Sequence, residues 1–269
     1  MNDTLLNNYV KSANSTSYEH NQLYRYKLTV ANNSNVADLY FAYSRFNVNN
    51  NFIKITSDDT VIIKGRKYDA ALAMDAIDFT DKIVCEVGAR DGIFCSYLTQ
   101  YANKVYVSDY FEEWGKDMPH DLGPLDYWSF IWKKSATNPD RLICEHQNVL
   151  FLTYPDNMFD VVIATHVINY LIYQKDNGDI AGLKELVRVC KPGGKIVISL
   201  LLGPDDRSCQ GTHVYSNKTL FERLILESGC KLLGNTFDFD LSNKYNDGLF
   251  ELDELCCVSD VFFILVKNC

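Results

Sequence analysis

The chain of 269 residues is 47% hydrophobic and 23% charged, an ordinary globular composition with room for one large domain or a domain with an appendage. Its net charge of −9, from 26 basic against 35 acidic residues, argues against a nucleic-acid partner, whose binding depends on neutralising phosphates. The N-terminal stretch is polar and Asn-rich without an apolar h-region, and no uninterrupted apolar run reaches membrane-spanning length, so neither a signal peptide nor a membrane span is expected.

Residues 1–66 lack strong periodicity and read as an N-terminal extension. Within it, NNYVKSANSTSYEHNQLY is compatible with a short helix, and VADLYFAYSRFNVNNNF mixes aromatics with an Asn run. FIKITSDDTVIIKG alternates apolar and polar residues around Ser57-Asp58-Asp59, the pattern of a β-hairpin. YDAALAMDAIDF has helical spacing and leads into a second unit, residues 67–269.

From residue 82 short apolar runs alternate with helical segments. KIVCEV is a predicted first strand, and after Gly92 the side chains Phe94, Tyr97, Leu98 and Tyr101 recur on one helical face. KVYVSD, RLICEHQ, FDVVIATHV and GKIVISLLLG are further strands, with the helix GLKELVRVC stopped by Lys191-Pro192-Gly193-Gly194. NKTLFERLILES is another helix, and KLLGNTFDFDL and SDVFFILVKN are two final strands. This alternation predicts an α/β fold: a doubly wound, mostly parallel, seven-stranded Rossmann-like sheet with right-handed crossovers, helices on both faces and the N-terminal extension. The nine cysteines, an odd number without a C-x-x-C pair, read as reduced, mostly buried thiols of an intracellular, cytoplasmic protein.

In such a sheet a ligand sits beyond the carboxyl ends of the strands, beside the first one. Gly88 and Gly92 lie there, and glycines let the backbone approach a ligand closely. Asp109 ends the second strand about 20 residues further on, where a nucleoside's ribose hydroxyls need an acceptor. A dinucleotide fingerprint is a poor match, because Arg90 and Ile93 stand where G-x-G-x-x-G requires glycines.

The run CEVGARDG, acid-x-Gly at the end of the first strand, resembles the first motif of class I S-adenosylmethionine-dependent methyltransferases. The later motifs are similar in order too: Asp109 after the second strand, Asn148 after the third, YPDNMFDVVIATHVINYL across the fourth and LKELVRVCKPGGKIVIS into the fifth. The resemblance covers about residues 80–235 and implies S-adenosylmethionine as cofactor. It implies that Glu86 fixes the cofactor's amino end, that Gly88 and Gly92 admit its methionine part, and that Asp109 holds the ribose hydroxyls. Asn148 takes the place of an Asp that accepts from the adenine amino group, and Ala89, Tyr110, Val149 and Thr165 complete the implied cofactor contacts. Arg90 departs from the family's usual glycine.

Methyl transfer from a sulfonium is an in-line displacement, so alignment supplies much of the catalysis, and a hydroxyl acceptor also needs a base. His166, after the fourth strand, and His213, in QGTHVYSNKTL after the fifth, are the candidates, with His213 favoured. His166 serves orientation or packing as readily as catalysis, since the family carries a histidine there whatever the substrate. Asp205-Asp206 suggest a Mg²⁺ site, but no third carboxylate joins them, so a solvated acidic loop and no metal are expected. The long connection from Asp109 to Asn148 holds all three tryptophans, Trp114, Trp128 and Trp132. Trp128 and Trp132 share a helical face that either packs on the sheet or forms an aromatic wall over the acceptor. The expected activity is O-methylation of a small-molecule hydroxyl, first of all on a sugar or glycan, with N-methylation of a metabolite or protein and an inactive methyltransferase-like subunit as alternatives. The N-terminal extension is expected to close the pocket or to form a homodimer contact.

Overall fold

The computed structural model describes residues 24–27, 53–55, 60–63, 70, 73–74, 76–90, 94–111, 123–203, 205–209, 211–233 and 259–269. In the extension, β1 (Tyr24–Lys27), β2 (Ile53–Ile55) and β3 (Thr60–Ile63) form an antiparallel sheet in the order β1-β3-β2. β2 and β3 are the expected hairpin. The expected short helix, residues 7–24, lies outside the described residues except for Tyr24, the first residue of β1. The partner of β1, through Tyr24↔Ile63, is remote in sequence, so local spacing could not reveal the pairing.

The main sheet contains β4 (Ile83–Val87), β5 (Lys104–Asp109), β6 (Leu142–His146), β7 (Phe159–Thr165) and β8 (Cys190–Leu202), followed by β11 (Lys231–Leu232) and β12 (Ser259–Val266). They lie side by side as β11-β12-β8-β7-β4-β5-β6. β9 (Arg207–Cys209) and β10 (Thr212–Tyr215) bring the sheet to nine strands. β4 to β8 are mutually parallel, whereas β12 runs antiparallel to β8 and β11 antiparallel to β12. The central strands are covered on both faces, which is why Val84, Cys85, Val162, Ile163, Ala164 and Ile196 to Ile198 form near-continuous apolar runs instead of an alternation.

Five helices matter for the site: α1 (Phe94–Leu98), α2 (Pro124–Ser135), α3 (Ile168–Leu171), α4 (Gly178–Val189) and α5 (Asn217–Thr219), which continues as a π-helical segment, Leu220–Leu226. Every residue of α1 is buried. α2 occupies the long Asp109–Asn148 connection and packs on α1 and β6. Gly178 opens α4 because a Cβ there would lie 2.0 Å from the Leu171 carbonyl oxygen, which lets α3 and α4 approach closely.

The strand order reverses between β4 and β7, and the crevice at that switch point is where ligands of open α/β sheets bind. β12 occupies one edge of β8 along Lys195 to Leu202. β10, paired through Val214↔Leu201, therefore takes the other edge and continues the line on which β7 ends at Thr165↔Ser199. One sequence expectation is corrected here: Cys209, buried at the end of β9, is disulfide-bonded, while Cys85, Cys95, Cys144, Cys190, Cys230 and Cys269 are free thiols. No helix among the described residues is long and apolar enough to cross a membrane.

Candidate active site

The turn after β4 is built from backbone that side chains resist. Gly88 has φ +66°, and a Cβ there would stand 2.4 Å from Val167 Cγ2, so only glycine lets the residues after β7 close on this turn. Arg90 also adopts a left-handed conformation, with φ +44°. Its N–H donates to Asp109 Oδ2 at 2.9 Å, and its carbonyl accepts from Trp132 Nε1 at 3.1 Å. The glycine usual at this position is thus replaced by an arginine whose backbone is pinned from two sides.

Asp109 Oδ1 accepts from the N–H groups of Tyr110 at 2.7 Å and Phe111 at 3.2 Å. A carboxylate offers about four lone-pair sites, so three are engaged within the chain and one, on Oδ2, stays open to a ligand. Glu86 is buried one residue before the end of β4, and the Ala89 N–H donates to the Ser108 carbonyl. Tyr110 stacks on His146 at 5.7 Å, and Asn148 Oδ1 accepts from the Leu150 N–H, capping the short 3₁₀ turn Val149–Phe151. The Asn148 carbonyl expected to serve adenine is therefore partly engaged as a cap. Gly92 and Trp114 lie outside the described residues. Trp132 is wholly buried and supports the Arg90 turn, so it presents no face to an acceptor; Trp128 is half-buried and stacks on it at 6.3 Å.

On the other side of the switch point, Thr165 ends β7 and His166, with φ +53°, donates its N–H to the Ser199 carbonyl. Both histidines thus attach to the same edge of β8: His166 at Ser199, and β10, which carries His213, at Leu201. Two residues of strand separate these anchor points, roughly 7 Å. The His213 ring lies edge-on to Tyr215 at 4.4 Å and near Tyr173 at 6.3 Å. It borders a cavity of about 510 Å³ with Asp176, Asn177, Asp206, Thr219 and Arg223.

His213 Nε2 stands 3.6 Å from Asp206 Oδ1, a charge contact slightly longer than a hydrogen bond. Asp206 is anchored by the Ser216 N–H and hydroxyl, each at 3.0 Å, and by the Thr219 hydroxyl. Burial pushes the His213 imidazole below its ordinary pKa, against the opposing pull of Asp206 and Asp179. Burial would raise the Asp206 pKa, but its hydrogen bonds from Thr219 and Ser216 prevail and hold it low. Asp205, the other half of the acidic pair, forms an ion pair with Arg207 at 2.8 Å.

Residues 85–198 match the family model described as a methyltransferase domain. Residues 85–198 thus carry a methyltransferase domain, consistent with S-adenosylmethionine as its cofactor. Among solved structures, a protein of Bacillus halodurans described as a methyltransferase is 13% identical, with a TM-score of 0.54 over 75% of this chain and 100% of its own. A protein of Listeria monocytogenes described as an S-adenosylmethionine-dependent methyltransferase is 14% identical, with a TM-score of 0.51 over 76% and 100%. The [4+2]-cyclase SpnF is also 14% identical, with a TM-score of 0.55 over 76% and 82%. At these identities the likenesses speak for the fold. No curated protein sequence matches the chain. The methyltransferase's strand-end chemistry fits its cofactor: a glycine turn that tolerates close approach, carboxylates on two adjacent strands, and an open lone pair on Asp109.

Sequence reasoning missed Val167 altogether and gave Trp132 and Asp206 other roles. Val167 closes on Gly88, Trp132 holds the Arg90 carbonyl, and Asp206 faces His213. The acid pair was visible in sequence, but its link to His213 depends on the β9–β10 hairpin turning back on itself.

Proposed function

We propose that the chain transfers the methyl group of S-adenosylmethionine to a hydroxyl of a small molecule, a sugar or a sugar unit of a glycan, with His213 as general base. The observation that carries this reading is the pairing of a half-buried imidazole, biased toward its neutral form, with an anchored carboxylate at a cavity that Asp176, Asn177, Thr219 and Arg223 also line. Neutral imidazole accepts the acceptor's proton as its oxygen attacks, and Asp206 stabilises the imidazolium that forms.

The cofactor supplies an electrophilic methyl group; the chain's task is to bind and align. We assign Glu86 to its amino group, the Gly88–Ala89 turn and Gly92 to its methionine part, and Asp109 Oδ2 to one ribose hydroxyl. Tyr110, Asn148 and Val149 flank the adenine, and Thr165 with His166 borders the methyl-transfer position. Trp128 and Trp114 remain the tryptophans assigned to the acceptor.

The cavity favours a neutral polyhydroxylated acceptor over an anionic one. Asp176 and Asp206 line it, while the Arg223 guanidinium is committed to Asp179 at 2.7 and 2.8 Å and to Asn177 at 2.9 Å. The predominance of free thiols supports a reducing, cytoplasmic setting. Residues 1–66 are assigned to closing the acceptor site or to joining two copies of the chain. The test is a screen of neutral sugars with labelled S-adenosylmethionine, followed by His213→Ala on the best acceptor. Turnover should fall by about 10²- to 10⁴-fold with cofactor affinity retained. Unchanged turnover would remove His213 from the reaction, and methylation of amines alone would remove the hydroxyl.

A further inference from the structure

Phe111, two residues beyond Asp109, adopts a left-handed conformation with φ +57°. For a bulky side chain this is a genuine outlier, and such strain persists only where the surroundings hold it, most often at functional sites. The Phe111 side chain is buried, its ring 6.2 Å from that of Trp132 and 5.9 Å from that of His146.

The peptide unit that joins Tyr110 to Phe111 is gripped at both ends. Its N–H, that of Phe111, donates to Asp109 Oδ1 at 3.2 Å. Its carbonyl oxygen, that of Tyr110, lies 2.6 Å from His146 Nε2. A carbonyl only accepts, so the imidazole carries a proton on Nε2 and donates it. Because the peptide is planar, fixing the carbonyl also aims the N–H at Asp109. Rotating the unit by half a turn would return Phe111 to negative φ, relieve the strain and withdraw that N–H from the acid. His146 is placed for this task as the last residue of β6 and the register partner of Asp109. Its ring also stacks on Tyr110 at 5.7 Å, yet it is exposed, so little of the core depends on it.

We infer that His146 is a positioning residue for the nucleoside end of the cofactor: its Nε2–H bond holds the Tyr110–Phe111 peptide in the strained orientation that keeps the Asp109 carboxylate aligned on the ribose. The inference rests on the assignment of Asp109 to a ribose hydroxyl. His146 acts through the turn and needs no contact with the cofactor.

The experiment measures S-adenosylhomocysteine affinity by calorimetry in two variants. His146→Phe keeps a ring against Tyr110 and loses the donor; His146→Gln loses the ring and keeps an N–H donor at similar reach. His146→Phe should bind about 3- to 10-fold more weakly, the worth of one neutral hydrogen bond, and His146→Gln should stay within about twofold of wild type. Melting temperatures should fall by no more than roughly 2–4 °C, since the side chain is exposed. In an Asp109→Ala background His146→Phe should weaken binding no further, because the histidine acts through that acid. Wild-type affinity in His146→Phe would overturn the inference. An equal loss in His146→Gln would assign the effect to the ring, additive losses in the double variant would separate His146 from Asp109, and a larger fall in melting temperature would make the residue part of the fold; each overturns it too. Unchanged affinity in Asp109→Ala alone would instead remove the ribose assignment and the inference with it, so the two failures are read separately.

Discussion

The Arg90 backbone N–H donates to Asp109 Oδ2 at 2.9 Å, so the acid that ends β5 also fixes the turn that ends β4. One carboxylate thereby sets the geometry of two cofactor-facing strand ends. Asp109→Ala removes the acceptor of three backbone N–H groups and the lone pair left for a ribose hydroxyl. At about 1.5–3 kcal/mol per charged hydrogen bond, S-adenosylhomocysteine should bind about 10- to 100-fold more weakly by calorimetry. An unchanged dissociation constant would show that the cofactor does not use this acid.

Arg90 in its left-handed conformation stores roughly 1–2 kcal/mol, offset by its two backbone partners. Arg90→Gly should therefore change stability by no more than about 1 kcal/mol in chemical denaturation, since relieved strain opposes the added freedom of the unfolded chain. Trp132→Phe keeps an aromatic ring in the buried site but leaves the Arg90 carbonyl without its indole donor. That variant should lose about 1–3 kcal/mol of stability and also weaken cofactor binding. If stability falls while cofactor affinity stays at the wild-type value, the Trp132–Arg90 bond does not shape the cofactor turn.

The rate should rise with pH as His213 loses its proton, with the midpoint of the acid limb below the ordinary histidine value of 6.5, because burial disfavours the imidazolium. Asp206 opposes that shift. Asp206→Asn should therefore move the midpoint to still lower pH while reducing the plateau rate, and kcat/KM measured between pH 5 and 9 reads both. A midpoint that moves upward instead would contradict the contact between the two side chains.

Asp179 is fully buried and takes hydrogen bonds from Arg223, the Ile180 N–H and the Tyr215 hydroxyl. Burial would raise its pKa, but the Arg223 bonds and the others prevail and hold it below the ordinary value of 3.8. A carboxyl with a folded pKa below its unfolded one stabilises the fold above the unfolded value, and the contribution disappears as pH falls through the folded pKa. Asp179→Asn should cost about 3 kcal/mol at neutral pH, the lower end for breaking a buried pair since Arg223 is partly exposed. It should also flatten the loss of stability below about pH 4. An equally steep acid limb in the variant would assign that limb to other carboxyls.

The sequence by itself determined the elements with strong local grammar and the cofactor's side of the site. KVYVSD is the strand β5 residue for residue, the IKI and TVII runs pair as a hairpin, and Gly88 and Asp109 end adjacent strands as their spacing implied. These features follow from periodicity, glycine's conformational freedom and the fixed plan of a βαβ unit, all of which are written locally. Only the tertiary structure decided the rest. β1 pairs with a strand remote in sequence, and β12 inserts antiparallel beside β8. Trp132 turned out to be a buried support for Arg90, although its helical spacing allowed a wall over the acceptor equally well. Asp206 meets His213 only because β9 and β10 fold back on one another. Burial and the pairing of charges belong to the packed chain, and no window of sequence carries them.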